Sequence, residues 1–288
     1  MSILIGILII LAVLFCIYLF LIHPNTRKMD VIDAFKKKKY FAHRGLYDNA
    51  SDAPENSLKA FQKAIDHGYG MEMDVQLSKD GIPVVFHDFV LSRVARKANN
   101  EPVPGKVCDY TLAELQSFHL MDSTETIPTF AQFLELLHGQ QPVIVELKIE
   151  NSDKQLAVCP KADDLLSRYQ GLYCIESFNP RGVKWYKEHR PEVMRGQLSS
   201  MFTKTNEDRK KYWLVYLLAQ NLMMNFLTAP DFIAYDALYW QNASRRICHK
   251  LFGNTAVAWT IRSQQQLEER RKDFDIFIFE HFEADQTK

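Results

Sequence analysis

The stretch GYGMEMDVQLSKDGIPVVFHD, residues 68–88, decides how the chain is read. Met71, Met73 and Val75 alternate with Glu72, Asp74 and Gln76, so the two carboxylates share one face of a strand. A short Lys79-Asp80-Gly81 turn follows, then a second apolar run, Pro83–Phe86, that ends in His87 and Asp88. Ionisable groups at the end of an otherwise apolar strand are expensive to bury unless something compensates them. Either these acids form a structural salt-bridge network or they hold a ligand.

Outward from this stretch, apolar runs of strand length recur at 40–42, 70–75, 83–86, 143–147, 172–177, 193–198, 232–235, 256–261 and 276–279. Helical patterns separate many of them, at 56–67, 111–118, 129–138, 157–169, 180–189 and 263–272. Strands alternating with helices over most of the chain predict a TIM (β/α)8 barrel rather than a doubly wound sheet. The candidates outnumber the eight places of such a barrel by one, so one run near Lys79-Asp80-Gly81 is expected to be a hairpin arm.

The other strand ends repeat the pattern. VIVELK sets Glu146 and Lys148 on one face, and KYFAHRG ends a strand in His43 and Arg44, with Glu55 a short loop further on. Inward side chains at the C-terminal ends of parallel barrel strands converge on one mouth. Glu72, Asp74 and Glu146 together bring more negative charge than Arg44 and Lys148 settle if a phosphate also binds. A hard divalent cation with oxygen ligands, Mg²⁺ or Ca²⁺, answers that excess. Zinc is disfavoured, since the chain has no HExxH and no Cys/His cluster. Taken singly, His87 reads as structural, Asp88 as a turn cap, and Glu55 as an acid near a helix N-terminus.

The first residues are of another kind. Ile3 to Ile22 carry no charge, a length that crosses the hydrocarbon core, and neither the basic start nor the small-residue cleavage site of a signal peptide is present. Residues 1–22 are therefore expected to be a membrane anchor, 23–38 a basic linker and 39–288 the barrel. Arg27, Lys28 and Lys36 to Lys39 follow the span, which predicts a single-pass protein with its catalytic domain in the cytoplasm. The lysine run is either a solvated face or a contact for anionic headgroups. The five cysteines show no CxxC pair, in keeping with a reducing compartment. With 35 basic and 35 acidic residues the chain is not expected to bind nucleic acid. Residues 203–230 begin charged and turn apolar and aromatic, which suits either a core-facing helix that closes the barrel or an interfacial helix beside the mouth.

The sequence also carries a resemblance. FAHRG, PENSLKAFQKA, GYGMEMDVQLSKDGIPVVFHD and LSR resemble the N-terminal signature of the glycerophosphodiester phosphodiesterase family, and DYTLAELQSF, IPTFAQFLELL, VIVELK, IESFNP and AVAWTIRS continue it in order over residues 39–279. The resemblance implies a TIM barrel of the phospholipase-C-like kind that uses a divalent metal to cleave glycerophosphodiesters into glycerol 3-phosphate and an alcohol. It implies Glu72, Asp74 and Glu146 as metal ligands, with Glu55 in or just behind that site. His43 and His87 resemble the acid–base pair, Arg44 and Lys148 the phosphate-holding cations, and Trp259 a tryptophan at the mouth. The chain departs from the family after HDFVLSR, where VARKANNEPVPGKV replaces Thr-Thr and glycines. It departs again at Phe279-Glu280, where the last strand of the family usually ends in a Thr-Asp-like or Ser-Asn-like pair. Alternatives within reach are a lysophospholipase D-like or phospholipase C-like enzyme acting on membrane lipids. A catalytically silent phosphodiester-binding barrel is a different class, and it would be expected to have lost a histidine or carboxylate that is present here.

Overall fold

Nine of the strands join in one sheet, in the order β1-β11-β10-β9-β8-β7-β6-β2-β3, and β1 also pairs with β2, which closes the barrel. They are β1 (Tyr40–His43), β2 (Gly70–Leu77), β3 (Pro83–Val85), β6 (Val143–Leu147), β7 (Tyr173–Ser177), β8 (Arg195–Ser199), β9 (Phe232–Asp236), β10 (Thr255–Ile261) and β11 (Ile276–Phe279). The short β4 (Ala95–Arg96) and β5 (His119–Leu120) form a separate ribbon. This is a computed structural model that describes residues 2–150, 153–208 and 210–286. Met1 of the expected anchor and 287–288 of the barrel segment lie outside them.

The closed barrel is the TIM barrel expected from the sequence, and all the strand candidates are strands. The hairpin arm is β3, which runs antiparallel to β2 with Val75 opposite Val85. Every other neighbouring pair of the barrel is parallel.

The helices, in chain order, are α1 (Ser2–Ile22), α2 (Asp30–Lys38), α3 (Leu58–Asp66), α4 (Leu112–Leu115), α5 (Phe130–Leu137), α6 (Asp153–Leu156), α7 (Val158–Leu166), α8 (Pro180–His189), α9 (Phe202–Thr205), α10 (Trp213–Gln220), α11 (Asn225–Thr228), α12 (Ala243–Lys250) and α13 (Gln264–Arg270). Side-chain caps open several of them: Ser57 accepts from the Ala60 N–H, Thr129 from Gln132, and Ser263 from Gln266.

Residues 23–38, expected as a basic linker, are packed onto the barrel. Helix α2 buries Ile32 and Phe35 against Phe41, Ile144, Met194 and Phe232, stoppering the N-terminal ends of the strands. Its Lys36, Lys37 and Lys38 lie in its last turn. Arg27 pairs with the buried Asp231 at 2.6 Å.

Helix α1 is long and apolar enough to cross a membrane, over Ile3–Ile22. Side chains from Ile3 to Ile17 are largely exposed, whereas Ile22 is buried in the main hydrophobic core. Residues 203–230 form no single helix. They divide among α9, α10 and α11, and Tyr212, Trp213, Leu214 and Val215 face outward.

Between β2 and α5 the chain makes a satellite lobe with its own apolar cluster, including Phe86, Leu91, Val94, Val107, Leu115 and Ile127.

Candidate active site at the barrel mouth

The mouth is built at the C-terminal ends of the strands. Parallel register sets Asp74 of β2 beside Glu146 of β6, and Glu146 beside Glu176 of β7. Glu72, Asp74 and Glu146 are all buried, and each offers an oxygen within 4.8 Å of the others. All donors are carboxylate oxygens, the set that suits Mg²⁺ or Ca²⁺ rather than a softer metal. Asp74 Oδ1 and Glu176 Oε2 are buried without a hydrogen-bond donor, so oxygens remain for a cation to take up. The residues present fit a divalent metal.

Lys148 reaches into this cluster, with Nζ 2.9 Å from Glu146 Oε1 and 3.4 Å from Asp74 Oδ1. Burial alone would lower its pKa, but the two carboxylates outweigh burial and raise it, so the amine stays charged. Burial, reinforced by Asp74 and Glu146, raises the Glu72 carboxyl well above its usual range. Burial and Glu146 do the same to Glu176. Asp74 goes the other way: burial opposes its ionisation, yet His87, Lys148 and Arg44 hold it ionised.

Arg44 has a left-handed backbone (φ 54), which turns the chain sharply after β1. Its backbone N–H donates to Glu72 Oε2 at 3.1 Å, and its guanidinium donates to Glu55 at 2.8 Å. Asn56 is also left-handed (φ 59), and its side-chain amide donates to Asp74 Oδ2 at 2.9 Å. The PEN tripeptide therefore does more than start α3. Asn56 fixes an acid of the cluster while Ser57 caps the helix.

Glu55 lies outside the three-carboxylate cluster. Arg93, from the satellite lobe, grips it with two bonds of 2.7 and 2.6 Å, and Asn49 adds a third at 2.9 Å. Burial would push its pKa up, but the Arg93 bonds and the charge of Arg44 hold it at about 2.

The two histidines line one cavity of about 350 Å³, together with Arg44, Glu146, Glu176 and Trp259. His43 Nδ1 sits 2.5 Å from Glu280 Oε2, and its Nε2 is 3.8 Å from Glu72. Burial and then Arg44 push the His43 pKa down to about 4 against the pull of Glu280, so the ring is neutral at physiological pH. A neutral ring that donates through Nδ1 presents Nε2 as an acceptor. His87 Nδ1 lies 2.6 Å from Asp88 Oδ1, and Arg93 Nε holds the other Asp88 oxygen at 2.5 Å. Trp259, on β10, packs edge-on against Phe178 at 5.3 Å, and its indole N–H is buried without a partner.

His43, Arg44, Glu55, Glu72, His87, Glu146 and Trp259 line this cavity, Asp74 is buried behind it, and Lys148 pairs with Asp74 and Glu146 while lining a neighbouring cavity. Four that matter were not singled out. Glu176 stood inside the quoted IESF, where an acid in an apolar strand is the same signal as Glu72. Glu280 was noted only as a departure, yet it contacts His43, Tyr47 and Arg262. Arg93 and Asn56 act through neighbours 38 and 18 residues away, distances over which sequence patterns are silent.

A family model described as the glycerophosphoryl diester phosphodiesterase family matches residues 43–272. A glycerophosphodiester phosphodiesterase of Bacillus altitudinis is 37% identical over 121 residues, 40% of this chain and 46% of the relative, so the match spans less than half of that protein. One of Caldanaerobacter subterraneus is 31% identical over 175 residues, 56% of this chain and 67% of the relative. The solved structure of an Oleispira antarctica phosphodiesterase, in complex with the product sn-glycerol-3-phosphate, is 25% identical. It superposes with a TM-score of 0.65 over 84% of this chain and 92% of its own.

Proposed function

The chain belongs to the glycerophosphoryl diester phosphodiesterase family, whose model covers residues 43–272, and from that premise we propose how this chain hydrolyses glycerophosphodiesters to sn-glycerol 3-phosphate and an alcohol. One observation carries the reading: two histidines, Arg44, Glu72 and Glu146 line a single cavity, and Asp74 and Lys148 are buried against its carboxylates. A divalent cation, Mg²⁺ or Ca²⁺, would be held by Glu72, Asp74 and Glu146, and when bound it supplies charge neutralisation at the phosphoryl oxygens.

Arg44 and Lys148 hold the remaining phosphate oxygens, Arg44 through its planar fork and Lys148 as a point charge. His43 takes the proton of the attacking hydroxyl at Nε2, and Glu280 steadies the imidazolium formed. His87, oriented by Asp88, returns a proton to the leaving alcohol oxygen. Trp259 and Phe178 wall the cavity and exclude water from its far side. Glu55 keeps Arg44 and Arg93 in place rather than binding metal.

Helix α1 serves as a single-pass anchor. The basic residues that follow it favour a cytoplasmic catalytic domain, which protease protection in sealed vesicles tests. For the activity, the full chain is supplied with glycerophosphocholine and Mg²⁺ or Ca²⁺, and glycerol 3-phosphate is measured. Activity is expected to vanish on chelation and in His43→Ala, and turnover that survives both overturns the mechanism.

A further inference from the structure

His87 and Arg44 line the catalytic cavity, and both are held by one residue from outside the barrel. The barrel fixes only the backbone around His87: the buried Gln76 of β2 donates from Nε2 to Phe86 O at 2.7 Å and to Asp88 O at 2.8 Å. The imidazole is held from the other side. Its Nδ1 lies 2.6 Å from Asp88 Oδ1, and Asp88 Oδ2 accepts from Arg93 Nε at 2.5 Å. Burial works against ionisation of Asp88, yet the His87 and Arg93 bonds hold its carboxyl well below the usual range. An ionised Asp88 can only accept, so His87 Nδ1 carries the proton of that bond and Nε2 is left to exchange one.

The same guanidinium reaches the phosphate side. Arg93 Nη1 and Nη2 donate to Glu55 Oε2 and Oε1 at 2.7 and 2.6 Å, and Glu55 Oε1 also accepts from Arg44 Nη1 at 2.8 Å. Arg44 Nε is buried with no hydrogen-bond partner, so that N–H is left for a phosphate oxygen. Arg93 thus grips two acids at once, one behind the proton-donating histidine and one behind the phosphate-holding arginine. A planar fork fixes the angle between two such acids. An ammonium, being a point charge, does not.

The satellite lobe sets where Arg93 stands. Arg93 ends a short 3₁₀ turn, Leu91–Arg93, and Leu91 is fully buried in the lobe's apolar cluster. The Val107 N–H donates to Phe89 O at 3.0 Å, Leu91 N–H to Gly105 O at 3.0 Å, and Val103 N–H to Ala95 O at 3.1 Å. The segment is therefore clamped on both sides of Arg93. Its side chain is 46% exposed at the rim, where ion pairs add little to stability. Without it Glu55 keeps Arg44 and Asn49, and Asp88 keeps His87. Loss of Arg93 should therefore disturb geometry more than folding.

We propose that Arg93 is a positioning residue for both halves of the reaction: through Asp88 it aims His87 at the leaving oxygen, and through Glu55 it aims Arg44 at the phosphate. The proposal rests on the roles given to His87 and Arg44 above and adds the residue that sets them. It also fixes a pattern of loss. As the bond from phosphorus to the leaving oxygen breaks, an alcohol such as choline takes the Nε2 proton of His87. A p-nitrophenolate is stable as the anion and leaves without one, so it does not register how that ring is aimed.

The test supplies the full chain with Mg²⁺ or Ca²⁺ and two diesters of glycerol phosphate, one with choline and one with p-nitrophenol. Turnover is counted per folded molecule, with urea unfolding as the control. Arg93→Gln is expected to lower kcat for the choline diester at least about tenfold more than for the p-nitrophenyl diester, and to raise KM for both about threefold or more. Arg93→Lys should not restore the choline rate, because it cannot hold both acids. Asp88→Asn cuts the His87 branch alone and should show the same uneven loss in kcat without the rise in KM. The double variant Arg93→Gln, Asp88→Asn should lose no more choline turnover than the worse single variant. Equal losses on the two diesters, or full additivity in the double variant, overturn the proposal. Independently of turnover, the low-field imidazole proton resonance that His87→Gln removes should shift or exchange away in Arg93→Gln. A resonance that stays in place overturns the positioning. If the wild type cleaves neither diester, the activity reading fails, while the resonance still decides whether Arg93 sets His87.

Discussion

At the closed end of the barrel the Asp231 carboxylate accepts bonds from Asn25 at 2.9 Å, Arg27 at 2.6 and 2.7 Å, and the Arg195 N–H at 3.0 Å. At the open end, Glu55, Glu72, Asp74, Glu146, Glu176 and Glu280 face Arg44, Arg93, Lys148 and Arg262, and buried atoms of Asp74, Glu176 and Arg44 have no hydrogen-bond partner. Both ends bury charge. Only at the closed end is every oxygen of the buried carboxylate bonded within the protein. A matched set holds the fold, because breaking it strands a buried ion. An unmatched set tolerates loss of a member as far as folding goes, and keeps its imbalance for a ligand. The two ends should therefore answer substitution in opposite ways.

The largest contrast lies in activity. Asp74→Asn or Glu146→Gln should lower kcat/KM by at least about 1,000-fold, since the neutralisation lost is worth several kcal/mol. Calorimetric titration of Mg²⁺ or Ca²⁺ should show that binding is lost too, while circular dichroism stays that of the wild type. At the closed end Asp231→Ala should cost about 3–5 kcal/mol of stability, because Arg195 and Arg27 lose their counterion. Urea unfolding measures that loss, and turnover per folded molecule should not change. A drop in that turnover would break the contrast between the ends.

The third prediction concerns pH. His43 has a folded pKa lowered from 6.5 to about 4, so the folded protein binds fewer protons than the unfolded chain in that interval. In the metal-free protein its stabilisation is complete above pH 6.5 and is lost as pH falls through about 4, a change of about 3 kcal/mol at 1.36 kcal/mol per unit. His43→Gln should flatten that part of the stability profile.

The smallest effect sharpens the comparison most. Glu176 has a raised folded pKa, so the metal-free fold loses stability as pH rises through it. Glu176→Gln removes that loss and should stabilise the metal-free protein near neutrality, and more at higher pH. Thermal unfolding across pH checks it, and destabilisation would mean that Glu176 is matched after all.

The sequence exposed the barrel because its strands are buried on both faces and read as apolar runs, while the intervening helices kept their caps and stripes. The three-carboxylate cluster was legible for the same reason: an acid inside such a run is costly unless it is paired or holds a ligand. Helix α2 was not legible, since its lysines dominate the composition of nine residues in which only Ile32 and Phe35 are buried. Helix α12 hid likewise, because it is strongly polar and one of its buried residues is Arg245. The pairing of His43 with Glu280 spans 237 residues, and no local pattern encodes a contact between the first and last strands of a closed sheet.

The satellite lobe packs a cluster of its own, including Leu91, Val94, Val107 and Leu115, and meets the chemistry through few side chains: Arg93 on Glu55 and on Asp88, and Asp88 on His87. Such a part can be repacked with little consequence for the barrel around it. Insertions or substitutions there that spare these contacts should leave the mouth as it stands.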